Sequence, residues 1–213
     1  ESASDIEVID PVAESLGISV IVHSVQVEHG PNLEARARAA RYGVMPDDVM
    51  TGHTADDQAE TVLINLLRGA GAQGLGAMRP GVSRPLLALR RSDTHAVCAA
   101  AGIATVTDST NTDPKFQRNR VRNELLPLMT EISLRDPVPL LVRSADVLRD
   151  DNDLLEELAR NLDPTDAVAL AAAPAPLARR ALRQWLSDPY PPDLATLERI
   201  MAVARGETLA CDI

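Results

Sequence analysis

Aromatic side chains are almost missing from this sequence, at 2% of its 213 residues. A core without them has to be built from Ala, Leu, Val and Ile, which at high Ala content favours packed helices. Cysteine is scarce too. Cys98 and Cys211 stand far apart and form no C-x-x-C pair, which argues against a zinc knuckle, an iron–sulfur site and a disulfide framework and makes a reducing cytoplasm the default. No apolar run approaches the ~20 residues needed to cross a bilayer, and residues 1–10 are acidic rather than basic and apolar, so neither a membrane span nor a signal peptide is expected. A surplus of positive charge is also absent. The formal net charge is −10 at pH 7, which does not fit indiscriminate nucleic-acid binding, because neutralising phosphates takes clustered Lys and Arg. Any RNA contact must be local.

With 45% hydrophobic and 24% charged residues, the chain can bury a core and suits one medium domain plus a smaller one. Residues 6–16 read as a helix closed by Gly17, and the β-branched run 18–22 that follows suits one α/β crossover of a parallel sheet. Asn32 can cap a helix over 33–42. Residues 49–51 read as the end of a short buried strand, after which the apolar period becomes helical. Residues 84–89 lead into a helix through 96–101, and 104–107 predict a last short strand. Beyond Pro127 strand signals fade. Helical patterns at about 140–162, 176–186 and 193–205 are separated by Pro-containing breaks, with the Ala- and Pro-rich stretch 167–176 as a linker or junction. The expectation is an α/β domain over 1–127 and an all-helical domain over 128–213. The tight interval between Tyr42 and Met50, with Pro46-Asp47-Asp48 inside it, raises the suspicion that residues are absent there.

At about 100° per residue, Asp57 and Glu60 share one narrow helical sector with His53, and Asp56 lies just beside it. Ala59, Val62, Leu63 and Leu66 form a separate apolar stripe that would face a sheet, leaving the acids along a cleft edge where they suit a cationic ligand or a metal. The ordinary alternative is a capped helix start, with Thr54 or Asp56 as the cap and the acids complementing the helix dipole. A strand-to-helix transition is also the usual ligand-binding edge of an open α/β sheet.

Five ordered stretches carry a family resemblance: NLEARARAARY at 32–42, GHTADDQAETVLINLLRGAGAQGLGAM at 52–78, RPLL at 84–87, DSTN at 108–111 and FQRNRVRNELLP at 116–127. Together they resemble the tRNA(Ile)-lysidine synthetases, whose nucleotide-binding domain is similar to those of PP-loop ATP pyrophosphatases. The resemblance implies a parallel-sheet α/β domain of the adenine nucleotide alpha hydrolase-like kind, followed by a smaller all-helical domain that contacts tRNA. It implies ATP and magnesium as cofactors, and free lysine and an isoleucine tRNA with a CAU anticodon as partners. The implied reaction adenylates the carbonyl oxygen of the wobble cytidine and then lets the lysine amine displace AMP, in the cytoplasm.

On that resemblance Asp57 and Glu60 are assigned to lysine recognition, with His53 and Asp56 as orienting or proton-handling groups. Spacing adds that the two carboxylates lie on one helical face, within reach of one ammonium group. Arg118, Arg120 and Arg122 share a side in an extended stretch, whereas in a helix only Arg118 and Arg122 do. The resemblance places this segment on ATP phosphates or the tRNA backbone, Arg118 and Arg120 as catalytic, nucleotide-binding donors and Arg122 as substrate-binding. Arg41 and Arg68 are further substrate-binding candidates, although a solvated ion-pair face with Glu34 and a glycine C-cap at Gly69 account for their surroundings equally well. Asp108 and Asn111 are expected to shape the loop presenting the arginines. Arg179, Arg180 and Arg183 ahead of Trp185 could meet RNA, against the commoner outcome of a core Trp with solvated arginines.

The family's Ser-Gly-Gly-x-Asp-Ser loop has no counterpart in these residues and is expected ahead of Glu1; ATP turnover should depend on it. A tRNA cytidine thiolase would need a C-x-x-C pair that is not there. Two other readings remain: a metal-dependent hydrolase ligating through His53, Asp56, Asp57 and Glu60, and a tRNA-binding fragment without activity.

Overall fold

A computed structural model of the chain describes residues 3–27, 30, 33–103, 105, 113–188 and 190–210. In chain order its helices are α1 (Ala3–Leu16), α2 (Leu33–Gly43), α3 (Ala55–Leu67), α4 (Ala72–Leu75), α5 (Arg91–Ala100), α6 (Gln117–Arg120), α7 (Leu126–Ser133), α8 (Pro137–Ala159), α9 (Ala167–Ala172), α10 (Ala175–Trp185) and α11 (Leu194–Ala204). A π-helical turn, Val121–Leu125, joins α6 to α7. Two compact units are formed: Glu1–Ile64 with Met78–Val142, and Asn65–Ala77 with Arg143–Ile213. The division falls inside α8, later than the fading of strand signals at Pro127, because Val138, Leu141 and Val142 pack into the first unit's core.

No strand occurs among the described residues, so the expected parallel sheet is not seen in them. Physical reasons are visible segment by segment. Gly17, at φ 65°, closes α1 with the Ile18 N–H donating to Ala13 O at 3.0 Å, a left-handed helix stop. Residues 18–22 then run on with Ile18, Ile21 and Val22 60%, 77% and 59% exposed; a strand needs a neighbour for its N–H and C=O groups, and this run has none among the described residues. At 49–51 one backbone bond to a distant segment, Thr51 N–H to Ser83 O at 2.8 Å, stands where a ladder would need several. The expected strand at 104–107, of which only residue 105 is described, lies outside the described residues, as do the Asn32 cap and the Asp108 and Asn111 loop. After α2 the chain turns tightly, with bonds from Val44 N–H to Arg41 O and from Val49 N–H to Pro46 O.

In the first unit the core is one face of α3. Ala55, Ala59, Leu63 and Ile64 pack on Val121, Leu126 and Val138, and each large aliphatic side chain so buried contributes about 1.5–3 kcal/mol. Gln58 is buried beside them and exchanges a reciprocal pair of bonds with the Met78 backbone, 2.9 Å each way, which pins the loop before Arg79 against α3. Two positions later Glu60 is wholly buried.

The second unit is helical throughout its described residues, with Leu170, Ala178, Leu182, Leu197 and Met201 at its core. Within 167–176, expected as a linker or helix junction, residues 167–172 form α9, because Asp166 accepts from the Val168 and Ala169 N–H groups at the helix start and alanine is the best helix former; the junction to α10 falls at Ala173 and Pro174. On α10, Arg179 pairs with Glu198 and Arg180 with Glu156, while Trp185 is 54% exposed instead of buried. No described helix is long and apolar enough to cross a membrane.

Candidate active site

The site begins at the amino end of α3. Thr54 caps the helix, its carbonyl accepting from the Gln58 N–H, and Asp57 Oδ2 takes both the Thr54 N–H at 2.9 Å and the Thr54 hydroxyl at 2.8 Å. This is one half of a capping box, the third helical side chain reaching back to the cap residue. It leaves Asp57 Oδ1 directed at arginines.

Three carboxylates in this turn meet four guanidinium groups brought from two other parts of the first unit. Arg90 and Arg91 stand at the start of α5. Arg90 grips Asp56 through Nε at 3.1 Å and Nη2 at 3.0 Å and also pairs with Asp136, while the Arg91 backbone N–H donates to Asp56 Oδ2 at 2.7 Å. Arg91 Nη2 then bridges Asp57 Oδ1 at 3.0 Å and Glu60 Oε1 at 3.1 Å. From the α6 side, Arg122 clasps Glu60 through Nε at 2.7 Å and Nη2 at 3.0 Å, and its Nη2 lies 3.6 Å from Asp57. Arg118 donates to the Thr61 hydroxyl at 3.1 Å and holds its Nε 3.8 Å from Glu60.

The helical path of 117–125 decides which arginines can take part. Buried Asn119 ties α6 to the Asp113 carbonyl at 2.9 Å, and Val121 enters the α3 core. Arg118 and Arg122, four apart, therefore face α3 together, and Arg120 turns away to pair with Glu124 in the open. A π turn widens the helix at this point, as such turns commonly do at functional sites.

Charge states follow from these partners. Burial by itself would raise the pKa of Asp56, but the Arg90 hydrogen bonds, the Arg91 N–H and both positive charges hold it below the ordinary carboxylate value. For Asp57 burial is likewise outweighed, by the two Thr54 hydrogen bonds and then by Arg91 and Arg118. The Glu60 hydrogen bonds hold Arg122 more firmly protonated. His53 sits at the rim with Nδ1 2.7 Å from the Thr51 hydroxyl. Burial lowers its pKa, and the charges of Arg84, Arg118 and Arg38 push the same way against Asp57, so the imidazole is a neutral base near pH 7.

The structure thus brings together His53, Asp56, Asp57, Glu60, Arg118 and Arg122. It does not bring Arg120 to them. Arg41 lies exposed in the last turn of α2; on that helix it is Arg38 that stacks on the Tyr42 ring, 5.4 Å from its centroid. Arg68 is exposed beyond the end of α3 and belongs to the second unit. There Gly69, at φ 75°, provides the C-cap, with the Ala70 N–H reaching Asn65 O at 2.9 Å. Sequence reasoning overlooked Arg90, Arg91 and Asp136. The first two had a signal: cations at a helix amino end are opposed by its dipole, so an Arg-Arg pair there calls for acids elsewhere. Among the described residues no three His, Cys, Asp or Glu side chains converge as a metal site, and the carboxylate oxygens at α3 accept from guanidinium groups, from Thr54 and from the Arg91 N–H.

Comparison with known proteins gives the family of the chain. The PP-loop domain family matches residues 1–129, an α/β class of domain. A tRNA(Ile)-lysidine synthase of Nocardia farcinica is 39% identical over 216 aligned positions, covering 92% of this chain and 68% of that protein. The chain belongs to the tRNA(Ile)-lysidine synthase family. Similar proteins of that name occur in Mycolicibacterium paratuberculosis, 43% identical over 79% of this chain and 57% of the relative, and in Rhodococcus erythropolis, 43% identical over 78% of this chain and 55% of the relative. The chain therefore spans a little over half the length of these two tRNA(Ile)-lysidine synthases. The Nocardia alignment is longer than the 213 residues of the chain, so that synthase has residues within the matched region that this chain lacks.

Proposed function

We propose that this chain carries the lysine-accepting part of an ATP-dependent ligase that joins lysine to the wobble cytidine of an isoleucine tRNA with a CAU anticodon. The observation that carries this reading is the carboxylate pair Asp57 and Glu60, on one face of α3 with Oδ1 and Oε1 bridged by a single cationic nitrogen, in a chain of this family. A primary ammonium could make the same two contacts. ATP would adenylate the cytidine carbonyl oxygen with release of pyrophosphate, and the lysine amine would then attack the carbonyl carbon and displace AMP.

Within that reaction Asp57 and Glu60 orient the lysine, and neutral His53 accepts the proton released as its amine attacks. Asp56, whose oxygens are engaged by Arg90 and the Arg91 N–H, positions the α5 start and does not move protons. Arg118 and Arg122 border the same turn and suit the phosphates of ATP or charge developing in adenylation. Exposed Arg120 suits the tRNA backbone, as do Arg41 and Arg68 at lower charge density, and the helical second unit adds the Arg183 and Trp185 surface of α10. Magnesium would arrive with the nucleotide, since it is usually held by phosphates, waters and one or two carboxylates and not by an all-protein cage. A reaction on free lysine, ATP and tRNA suits the cytoplasm. For the sheet, the exposed run 18–22 and residues 49–51 are the segments whose composition suits pairing with further parallel strands. A metal-dependent hydrolase is disfavoured by the guanidinium occupancy of all three carboxylates.

The test is incorporation of labelled lysine into isoleucine tRNA by the full-length protein. Transfer should require both ATP and magnesium, because adenylation precedes attack. Lysine transfer without ATP would refute the mechanism.

A further inference from the structure

We infer that Arg91 is an internal occupant of the lysine-ammonium position, a side chain that must swing out before substrate can enter. The inference rests on the reading of Asp57 and Glu60 as the lysine-binding pair and adds a residue to it. Arg91 Nη2 lies 3.0 Å from Asp57 Oδ1 and 3.1 Å from Glu60 Oε1, so one NH2 group spends its two hydrogens on the two oxygens that a substrate ammonium needs. The remaining capacity of those carboxylates is already committed. Asp57 Oδ2 accepts twice from Thr54, and Arg122 holds both oxygens of Glu60.

Two guanidinium groups hydrogen-bond the pair, and Arg91 is the one built to leave. Arg122 holds Glu60 with two nitrogens, whereas Arg91 reaches both carboxylates through a single nitrogen; Arg118 comes no nearer to Glu60 than 3.8 Å and leaves those oxygens open. The Arg91 backbone is fixed independently, through the bond from its N–H to Asp56 at 2.7 Å, and the start of α5 is closed by the Arg90 N–H on Asp93. The side chain can therefore rotate into water while α5 stays in place. Meanwhile the guanidinium adds to Arg122 in offsetting the repulsion between Glu60 and Asp57 when no substrate is bound.

A ligand that binds only the swung-out state has its affinity reduced by the fraction of molecules in that state. A partly exposed ion pair is worth about 1 kcal/mol or less, so removing the occupant should tighten cation binding about fivefold. Calorimetric titration of the protein and of its Arg91→Gln variant with L-lysine, and separately with n-butylammonium, measures this. The side-chain Nε–H resonance of Arg91, assigned by its loss in the variant, reports the swing directly. Tighter binding in Arg91→Gln, together with a shift of that resonance when either cation is added to the unsubstituted protein, supports the inference. Equal or weaker binding in the variant, or an unmoved resonance while lysine binds, overturns it and leaves the lysine reading intact. Displacement by n-butylammonium without any lysine binding upholds the swing and removes the lysine reading. Failure of both cations to bind either protein removes both.

Discussion

Glu60 is the residue on which the first unit's charge balance turns. It is wholly buried and meets Arg91, Arg118 and Arg122, so neutralising it strands positive charge next to the core. Breaking a buried pair from one side costs about 3–5 kcal/mol when both partners are out of water. Here Arg122 and Arg91 keep 25% and 30% of their side chains exposed, and Glu60→Gln should lose on the order of 2–3 kcal/mol, read from urea unfolding. Asp57→Asn should weaken lysine binding and leave tRNA affinity little changed; an equal loss of both would mark a purely structural role. The neighbouring arginines separate by partner. Arg118→Ala should slow pyrophosphate release at saturating tRNA by roughly a hundredfold, the scale of one lost oriented donor. For exposed Arg120 the alanine variant should unfold within about half a kcal/mol of the original and show weaker tRNA binding with a shallower salt dependence. Single-turnover pyrophosphate release and salt-dependent filter binding distinguish the two.

At the scale of elements, the clamp of α5 onto α3 should make the first unit acid-sensitive. Asp56 and Asp57 both titrate below their ordinary value in the folded chain. Groups depressed on folding give stability that is fully present above the unfolded carboxylate pKa of about 3.9 and is lost as pH falls through the lower folded value. The melting temperature should accordingly hold above about pH 5 and fall steeply below 4, and Asp56→Asn with Asp57→Asn together should flatten that fall while lowering the plateau. Helix periodicity made α3 legible, along with the shared face of its acids, because a period of 3.6 fixes which side chains can meet within one helix; the sequence left an extended and a helical path open at 118–122, and only the helical path separates Arg120 from Arg118 and Arg122. The α5 partners were not legible, since nothing local to Arg90 and Arg91 says which distant acids they meet. Strand expectations at 18–22 and 49–51 rested on β-branched composition, and composition describes a tendency to pair without supplying the neighbour. At 167–176 composition left linker and helix junction both open, and the Asp166 cap decides for a junction by starting α9.

For the molecule as a whole, a net charge of −10 gives phosphates no general attraction, so any tRNA contact should come from a few exposed arginines and carry a modest salt slope. The exposed run after α1 bears on how the isolated protein behaves in a tube. Residues 18–27, ISVIVHSVQV, contain no proline, glycine, acid, Lys or Arg, and Ile18, Ile21 and Val22 are open to water. Such windows stack in register between molecules into dry cross-β zippers, and no gatekeeper charge interrupts this one. Concentrated protein should therefore nucleate thioflavin-positive fibrils whose protease-resistant core maps to these ten residues. Ile21→Lys should lengthen the lag several-fold without altering the urea midpoint, and a resistant core elsewhere would acquit the segment.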